Sequence, residues 1–284
     1  MKELILENTK IAIFGLGLMG GSLGLALKGK CAGLYGVDQN EEVINYVQKM
    51  SLFDNLSTKP EDVFPLADVI VLAVPVGAIL ETIPKLPEFC KGTPIILDLG
   101  STKRDIMQAF AKLPKGFEIV GGHPMCGLEN LGIENAFEGI YDQAKFALTA
   151  LNRTRGDTKI FIEELICAIK AIPFWIGADQ HDSWVATTSH LPYLMSLALA
   201  LSCPEESAEL IGPGYLSAIR LVGTPVSMMS DVLQTNSDEI IRACNKFIQQ
   251  FEAILQLMES QEKDRLEEWM GIGRNRKVAL HKKG

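Results

Sequence analysis

The sequence predicts a doubly wound α/β domain over residues 1–177, followed by an all-helical domain over residues 178–284. Up to about Gly177, short apolar runs rich in β-branched residues alternate with longer segments of helical period. This alternation is typical of a parallel sheet that carries helices on both faces. Beyond Gly177 the sequence offers no further convincing strand. The predicted strands cover residues 11–14, 34–37, 69–74, 95–97, 119–120, 146–148 and 174–176.

In the second domain we expect helices over residues 183–201, 204–220 and 237–268. The last of these contains apolar residues at alternating spacings of four and three, which is the pattern of a helix packed along its length against another helix. A packed intramolecular core and a dimer interface both fit this pattern. The basic end, residues 274–283, is expected to be a solvated tail. The apolar seam consists of Ile240, Cys244, Phe247, Phe251, Ile254 and Met258.

Composition excludes several classes of partner. The 284 residues carry a formal net charge of −8 and contain no basic run that would favour nucleic acid or an anionic membrane. The uncharged stretches 11–27 and 183–204 are interrupted by glycine, or by serine, threonine, histidine and proline, so neither predicts a transmembrane helix. The N-terminal residues lack the features of a signal peptide. The six cysteines have no C-x-x-C spacing, so we expect reduced thiols, a cytoplasmic protein and no metal site.

Residues 15–20 read G-L-G-L-M-G and stand directly between the first predicted strand and a helix. In this context Gly15 makes the tight turn, Gly17 lets the backbone approach a pyrophosphate, and Gly20 lets the helix pack on the strand. The N-terminus of the helix then faces the phosphates. The motif therefore predicts a Rossmann-type dinucleotide-binding domain.

Asp38 ends the second predicted strand, 18 residues beyond Gly20. A carboxylate at this place accepts hydrogen bonds from the ribose hydroxyls of adenosine and repels a 2′-phosphate, so the predicted cofactor is NAD rather than NADP. Ligands of open α/β sheets sit outside the carboxyl ends of the strands. The predicted cofactor-binding residues are Gly15, Gly17, Leu18, Met19, Gly20, Asp38, Val74, Pro75 and Gly100.

His123 lies in G-G-H-P-M-C-G, residues 121–127, after another strand end. A rigid loop with Gly and Pro on either side positions this side chain, and a neutral imidazole accepts a proton near neutral pH, so His123 is the candidate general base. The alternative is a loop histidine bonded to backbone. Ser101 follows the strand at 95–97 and is expected to point into the crevice, whereas Thr102 and Asp105 together fit a helix cap.

The helical half contains four further polar candidates, of which His190 and Arg220 are open to two interpretations. His181 and Asp182 fit a structural cap at the start of a helix. His190 lies among apolar residues and is either a buried core histidine or a site residue brought to the crevice by a bend at Pro192. Arg220 stands in an uncharged run from 210 to 230, where it binds either a substrate carboxylate or an internal acidic partner.

Taken together, these segments resemble the prephenate and arogenate dehydrogenase family of tyrosine biosynthesis. The matching segments, in order, are G-L-M-G-G-S at 17–22, D-L-G-S-T-K at 98–103, G-G-H-P-M-C-G at 121–127, H-D at 181–182 and S-H-L-P at 189–192. The resemblance covers nearly the whole chain. It implies a nucleotide-binding domain followed by a helical dimerisation domain, and hence a homodimeric oxidoreductase.

The resemblance also assigns roles to single residues. It implies that His123 bonds the ring hydroxyl, that Ser101 helps to orient it, that Arg220 binds the side-chain carboxylate and that Glu129 gates or polarises the site. His190 and Tyr193 are the further substrate-binding candidates that it implies. The expected reaction is NAD-dependent oxidative decarboxylation of prephenate to 4-hydroxyphenylpyruvate. The alternatives are an arogenate dehydrogenase, which gives tyrosine, and a dual-substrate cyclohexadienyl dehydrogenase.

Two positions depart from the prephenate pattern. Tyr193 stands where prephenate-using members often have a second histidine, and Met229 stands where some carry an aromatic residue. A more distant rival, a β-hydroxyacid dehydrogenase, relies on a lysine in its helical domain, but there is no lysine between Lys170 and Lys246. The other rival, a catalytically silent NAD-binding sensor, would have no need for both His123 and Arg220.

Overall fold

The computed structural model describes residues 5–128 and 130–281. The chain divides into two compact units, residues 1–237 and residues 238–284. The first unit is built on an eight-stranded sheet in the order β3-β2-β1-β4-β5-β6-β7-β8. The strands are β1 Lys10–Phe14, β2 Gly33–Val37, β3 Asn55–Ser57, β4 Val69–Leu72, β5 Ile95–Asp98, β6 Glu118–Pro124, β7 Lys145–Ala150 and β8 Ile172–Trp175.

Helices cover both faces of the sheet, as the sequence predicts. Ile11 and Ile13 of β1 belong to a core cluster on one face, whereas Ala12 and Phe14 belong to a second cluster on the other face. The helices of this α/β region are α1 Leu18–Leu27, α2 Glu41–Lys49, α3 Pro60–Val63, α4 Val76–Thr82, α5 Leu86–Phe89, α6 Arg104–Ala111 and α7 Gly156–Ala168.

The sheet is parallel as predicted except at one pair. β6 and β7 run antiparallel, with His123 opposite Ala147. Parallel neighbours need a crossover connection, usually a helix. The segment that joins β6 to β7 contains two 3₁₀ turns and no α-helix in its described residues, 125–128 and 130–144. β3 is not predicted from the sequence, because its three residues, Asn-Leu-Ser, form a short edge strand without an apolar run.

The predicted helix over residues 183–201 is divided into three parts. α8 Ala178–Val185 leads into a π-helical turn, Ala186–His190, and then into α9 Leu191–Ser202. Pro192 lies in the first turn of α9, and because it lacks an N–H group it cannot continue the regular pattern of helical hydrogen bonds. This turn places His190 at the junction between α8 and α9.

The predicted helix over residues 204–220 is also shorter than expected. A 3₁₀ segment, Glu205–Leu210, precedes α10 Pro213–Ile219, and a 3₁₀ turn, Arg220–Gly223, follows it. Gly212 and Pro213 interrupt the pattern, since proline has no N–H to donate. A further helix, α11 Val226–Thr235, lies where the sequence analysis assigned none.

The second unit contains α12 Ser237–Glu259 and α13 Lys263–His281. The single predicted helix over residues 237–268 is thus two helices, separated where Gln261 adopts a positive φ of 57°. The expected solvated tail is helical up to His281, and no residue of α13 is buried. Lys282 and Lys283 lie outside the described residues. In the part of the chain that the structure describes, no helix has both the length and the apolar character needed to cross a membrane.

Candidate active site

The glycine-rich loop joins β1 to α1. Gly15 has φ +94°, and a Cβ there would lie 2.5 Å from the carbonyl oxygen of Ala73. A Cβ on Gly20 would lie 1.8 Å from the carbonyl oxygen of Gly15, so this glycine brings helix and strand into close contact. A Cβ on Gly17 would meet no atom within 4 Å. Gly15 and Gly20 therefore shape the loop, while Gly17 leaves open space beside the N-terminus of α1.

Asp38 lies at the carboxyl end of β2 and is bonded to this loop. One of its carboxylate oxygens accepts a hydrogen bond from the N–H of Leu16 at 2.8 Å, and the other accepts from the N–H of Asn40 at 2.9 Å. The carboxylate thus connects the end of the second strand to the glycine loop. This is the place that the sequence analysis assigned to a residue that binds adenosine ribose.

A cavity of about 630 Å³ opens at the carboxyl ends of β1, β4 and β5 and extends to α9 and α11. It is lined mainly by apolar side chains, as ligand sites usually are. Gly15, Gly20, Asp38 and His190 are not among the described residues that line it, and Glu129 lies outside the described residues. The predicted site residues on its wall are Gly17, Leu18, Met19, Val74, Pro75, Gly100, Ser101, His123, Tyr193 and Arg220.

A buried ion pair fixes the two strand ends that carry Ser101 and His123. Lys103 Nζ is bonded to Asp98 Oδ2, and both side chains are fully buried. The Asp98 carboxylate also accepts from the N–H of Gly100 at 2.8 Å and from the N–H of Gly122 at 3.3 Å. Asp98 thereby holds the ends of β5 and β6 at a fixed separation, and Ser101 and His123 each follow one of the bonded glycines.

His123 is connected to a second histidine. Its Nδ1 lies 2.9 Å from Nε2 of His181, and Nδ1 of His181 lies 2.7 Å from Oδ1 of Asp182. His181 and Asp182 are 2% and 0% exposed, whereas His123 is half-buried and reaches the cavity. The three side chains form a continuous chain of hydrogen bonds from the cavity wall into the core.

The helix caps predicted for His181, Asp182 and Thr102 are wrong, because these side chains bond partners elsewhere in the fold. The N-cap of α8 is Gly177, with no side-chain cap, so His181 and Asp182 do not cap their own helix. Asp182 instead accepts hydrogen bonds from the N–H groups of Lys103 and Arg104, at 2.7 and 2.9 Å, at the start of α6. Thr102 does not cap α6 either, because its hydroxyl bonds that of Thr235 at 2.8 Å.

The surroundings of His123 favour its neutral form. Burial lowers the pKa of His123 well below its ordinary value of 6.5, and the charges of His181, Lys103 and His190 lower it further. His123 is therefore an uncharged imidazole at neutral pH, with the protonation state that a general base requires.

His190 takes the first of its two expected interpretations. It is 3% exposed, and its Nδ1 lies 3.3 Å from the side-chain nitrogen of Asn236, which also donates to the carbonyl oxygen of Asp182 at 2.8 Å. Burial lowers the pKa of His190 to about 4. The bend before Pro192 directs this ring into the core, so a direct contact with substrate is not supported. Asn236 is not predicted from the sequence, since a single asparagine at a helix end carries no distinctive signal.

Comparison with known proteins decides the family. Residues 23–171 match the prephenate dehydrogenase nucleotide-binding domain, and residues 177–272 match the prephenate dehydrogenase dimerization domain. The chain belongs to the prephenate dehydrogenase family. It is an NAD-dependent oxidoreductase, and the glycine loop that the structure describes is the expected place for this cofactor.

Relatives of this family match along most of the chain. Prephenate dehydrogenase from Bacillus subtilis is 25% identical over 90% of this chain and 72% of its own length. Cyclohexadienyl dehydrogenase from Zymomonas mobilis is 26% identical over 95% of both chains. Among solved structures, prephenate dehydrogenase from Aquifex aeolicus, crystallised with hydroxyphenyl propionate and NAD⁺, has a TM-score of 0.87 at 23% identity over 97% of this chain and 99% of its own. Synechocystis arogenate dehydrogenase has a TM-score of 0.83 at 24% identity, covering 95% and 99%. At these identities the structural likeness confirms the fold.

Proposed function

We propose that this protein catalyses the NAD⁺-dependent oxidative decarboxylation of prephenate to 4-hydroxyphenylpyruvate, a step of tyrosine biosynthesis. The observation that carries the proposal is the position of His123. Its half-buried ring lies on the wall of a cavity that also contains the open glycine, Gly17, and the guanidinium-bearing Arg220. A candidate base, the glycine loop and a cation suited to a carboxylate therefore line one cavity, and this supports the proposal.

The glycine loop fits a dinucleotide. The open space at Gly17 and the N-terminus of α1 suit a pyrophosphate, and Asp38 suits the adenosine ribose. Leu18, Met19, Val74, Pro75 and Gly100 complete the proposed cofactor wall. When bound, NAD⁺ accepts a hydride from the substrate.

The chain's own residues position the substrate and accept one proton. Nδ1 of His123 is engaged with His181, so Nε2 is the atom available to take the proton of the ring hydroxyl. Ser101 lies on the same wall and can hydrogen-bond that hydroxyl. We assign the side-chain carboxylate of the substrate to Arg220. Once the hydroxyl carbon is oxidised, the ring carboxylate leaves as CO₂ and the ring becomes aromatic, which makes the reaction irreversible.

Arogenate is the second candidate substrate, and one residue favours it. Tyr193 lines the cavity and is 8% exposed. Its neutral hydroxyl can accept a hydrogen bond from the ammonium group of arogenate or donate one to the ketone of prephenate. A cationic histidine at this position would repel the ammonium group. We therefore expect activity on both compounds, with prephenate preferred. Against the β-hydroxyacid alternative, the described lining contains no lysine.

The assay is NADH formation with prephenate and with arogenate, together with identification of the product. Tyr193→His is expected to shift the ratio of kcat/KM values toward prephenate, while Tyr193→Phe keeps the ring and isolates the contribution of the hydroxyl. A ratio that stays fixed in both variants would show that residue 193 does not reach the substrate side chain. The proposed function is rejected if NADH forms neither with prephenate nor with arogenate.

We also propose a homodimer formed through the helical half, in the cytoplasm. On α12, Ile241, Ile248 and Leu255 are exposed at heptad spacing, as are Phe251 and Met258. The predicted seam is only partly the exposed face, because Ile240 is buried. The described thiols of all six cysteines are free, which supports a reducing compartment. Sedimentation of the purified protein measures the mass of the particle in solution. A mass equal to that of one chain would reject the proposed dimer.

A further inference from the structure

We propose that His181 and Asp182 are positioning residues that set which nitrogen of His123 carries the proton. They keep the hydrogen on Nδ1, so that Nε2 presents a lone pair to the cavity. The proposal rests on the proposed function in one respect, the need for a base that accepts the hydroxyl proton of the substrate. Neither residue lines the cavity in the described part of the chain, so both act through His123.

Asp182 lies at the inner end of the chain of hydrogen bonds. An ionised carboxylate only accepts hydrogen bonds. His181 must therefore donate from Nδ1 to Oδ1 of Asp182, across 2.7 Å. A neutral imidazole that donates from one nitrogen accepts at the other. Nε2 of His181 is then an acceptor, and the hydrogen bond of 2.9 Å requires His123 to donate from Nδ1.

The position of Asp182 fixes this polarity. Besides the imidazole, its carboxylate accepts from two backbone N–H groups, those of Lys103 and Arg104. Backbone N–H groups can only donate, so these contacts require an acceptor at Asp182. Its own carbonyl oxygen accepts from Asn236. The side chain is fully buried. Apart from the adjacent His181, the residues that bond Asp182 lie 54 to 79 positions away in the sequence.

The same arrangement offsets the charge that catalysis creates. The hydroxyl proton of the substrate moves to Nε2 of His123, while the Nδ1 proton stays shared with Nε2 of His181. The imidazolium charge is then one ring away from the Asp182 carboxylate. His181, Lys103 and His190 oppose this charge, and Asp98, bonded to Lys103, reduces the effect of the lysine.

A purely structural role is the competing explanation, because Asp182 caps α6 in any case. The two explanations differ in one observable, the protonated nitrogen of His123. The chain has four histidines, His123, His181, His190 and His281, so side-chain nitrogen NMR of protein labelled with ¹⁵N-histidine can resolve each ring. Single His→Gln variants assign the signals, and exposed His281 serves as the reference ring.

At mildly alkaline pH we expect His123 and His181 to carry hydrogen on Nδ1, and His190 to carry it on Nε2 because its Nδ1 faces the amide of Asn236. If His123 in the wild-type protein carries hydrogen on Nε2, the proposal is overturned. This measurement needs no substrate, so it is decided separately from the proposed function, which fails only if neither prephenate nor arogenate is oxidised.

Kinetics of two variants complete the test. His181→Leu removes the acceptor and should lower kcat roughly 10- to 100-fold, the usual scale for a residue that orients a functional histidine. Its KM and its NAD⁺ affinity should change by less than about twofold, since a rise in KM at constant kcat is the sign of a lost contact with the substrate itself. His181→Gln can donate its amide N–H to Asp182 and offer its amide oxygen to His123, so it should recover most of the lost kcat.

Thr235→Val is the matched control. It deletes the half-buried hydrogen bond with Thr102, at the same start of α6, and the one that the Thr235 hydroxyl donates to the carbonyl oxygen of Asp231, but it leaves the histidine chain intact. It should lower the melting temperature without changing the tautomer of His123 or kcat. A fall in kcat as large as that of His181→Leu would favour the structural explanation. An unchanged kcat in His181→Leu, or no recovery in His181→Gln, would also contradict the proposal.

Discussion

The glycine loop and the histidine cluster, His123 with His181 and Asp182, reach the same cavity through Gly17 and His123, but the chain builds them in opposite ways. The loop is local: Gly15, Gly17 and Gly20 lie within one turn and helix start, and Asp38 joins Leu16 from 22 residues away. The histidine cluster is assembled over long distances, since His123 and His181 are 58 residues apart in sequence. Local spacing therefore reports the cofactor site, whereas the network behind the base becomes visible only in the folded protein.

The largest expected effect separates two glycines of the same motif. Gly20→Ala would place a Cβ 1.8 Å from a backbone oxygen, so we expect a loss of about 3 kcal/mol or more in the free energy of unfolding. Gly17→Ala meets no atom within 4 Å, so it should keep the melting temperature but weaken NAD⁺ binding roughly tenfold, about 1.4 kcal/mol. Thermal melts and NAD⁺ titration of both variants provide the measurement. Equal destabilisation by the two substitutions would contradict the division of roles.

Arg220 tests the far side of the cavity, to which no local motif points. Arg220→Ala should raise the KM for prephenate roughly 30-fold, about 2 kcal/mol, because a charged hydrogen bond to the substrate carboxylate is lost. Arg155→Ala, which removes an exposed arginine paired with Asp157, is the control and should leave KM unchanged. An unchanged KM together with a lower melting temperature would instead indicate that Arg220 serves an internal ion pair.

The smallest expected change is in the cofactor preference of Asp38 variants, which tests the residue bonded to the glycine loop. Asp38→Ser should shift the ratio of kcat/KM values toward NADP⁺ by roughly tenfold, because the repulsion of a 2′-phosphate is removed. Asp38→Asn keeps an oxygen acceptor for the N–H of Leu16, so it separates the charge from the support of the loop. A wild-type enzyme that is already faster with NADP⁺ would overturn the charge argument.

Much of the fold follows from patterns that lie within a few residues of one another. The apolar runs of β1, β2, β4 and β5 predict the sheet, because these strands are buried on both faces. The edge strand β8 is predicted from its apolar residues although it is only partly buried. β3 is polar and only three residues long, so no apolar run marks it in the sequence. The antiparallel pairing of β6 with β7 depends on a connection without an α-helix, which a pattern of strands alone does not reveal.

The candidate site divides in the same way. Gly17, Ser101, His123 and Arg220 line the cavity, and all four could be named from the sequence because strand ends and an isolated charge can be recognised there. His181 and Asp182 have the usual appearance of a helix cap, and their actual partners lie far away in the chain. Polar residues at helix starts are common, so such a pair is not distinctive. Its partners in the folded protein depend on tertiary packing, which a short sequence pattern does not reveal.

The central claim is that His123 accepts the proton of the substrate, and steady-state NADH formation from prephenate by His123→Asn tests it most directly. Asparagine can still bond His181, so the fold and NAD⁺ affinity should be retained, as a melt and a titration will verify. The account predicts a kcat lower by about 10²-fold or more, the scale of general acid–base catalysis. A variant that turns over prephenate at nearly the wild-type rate would contradict it and leave His123 as a structural residue of the loop.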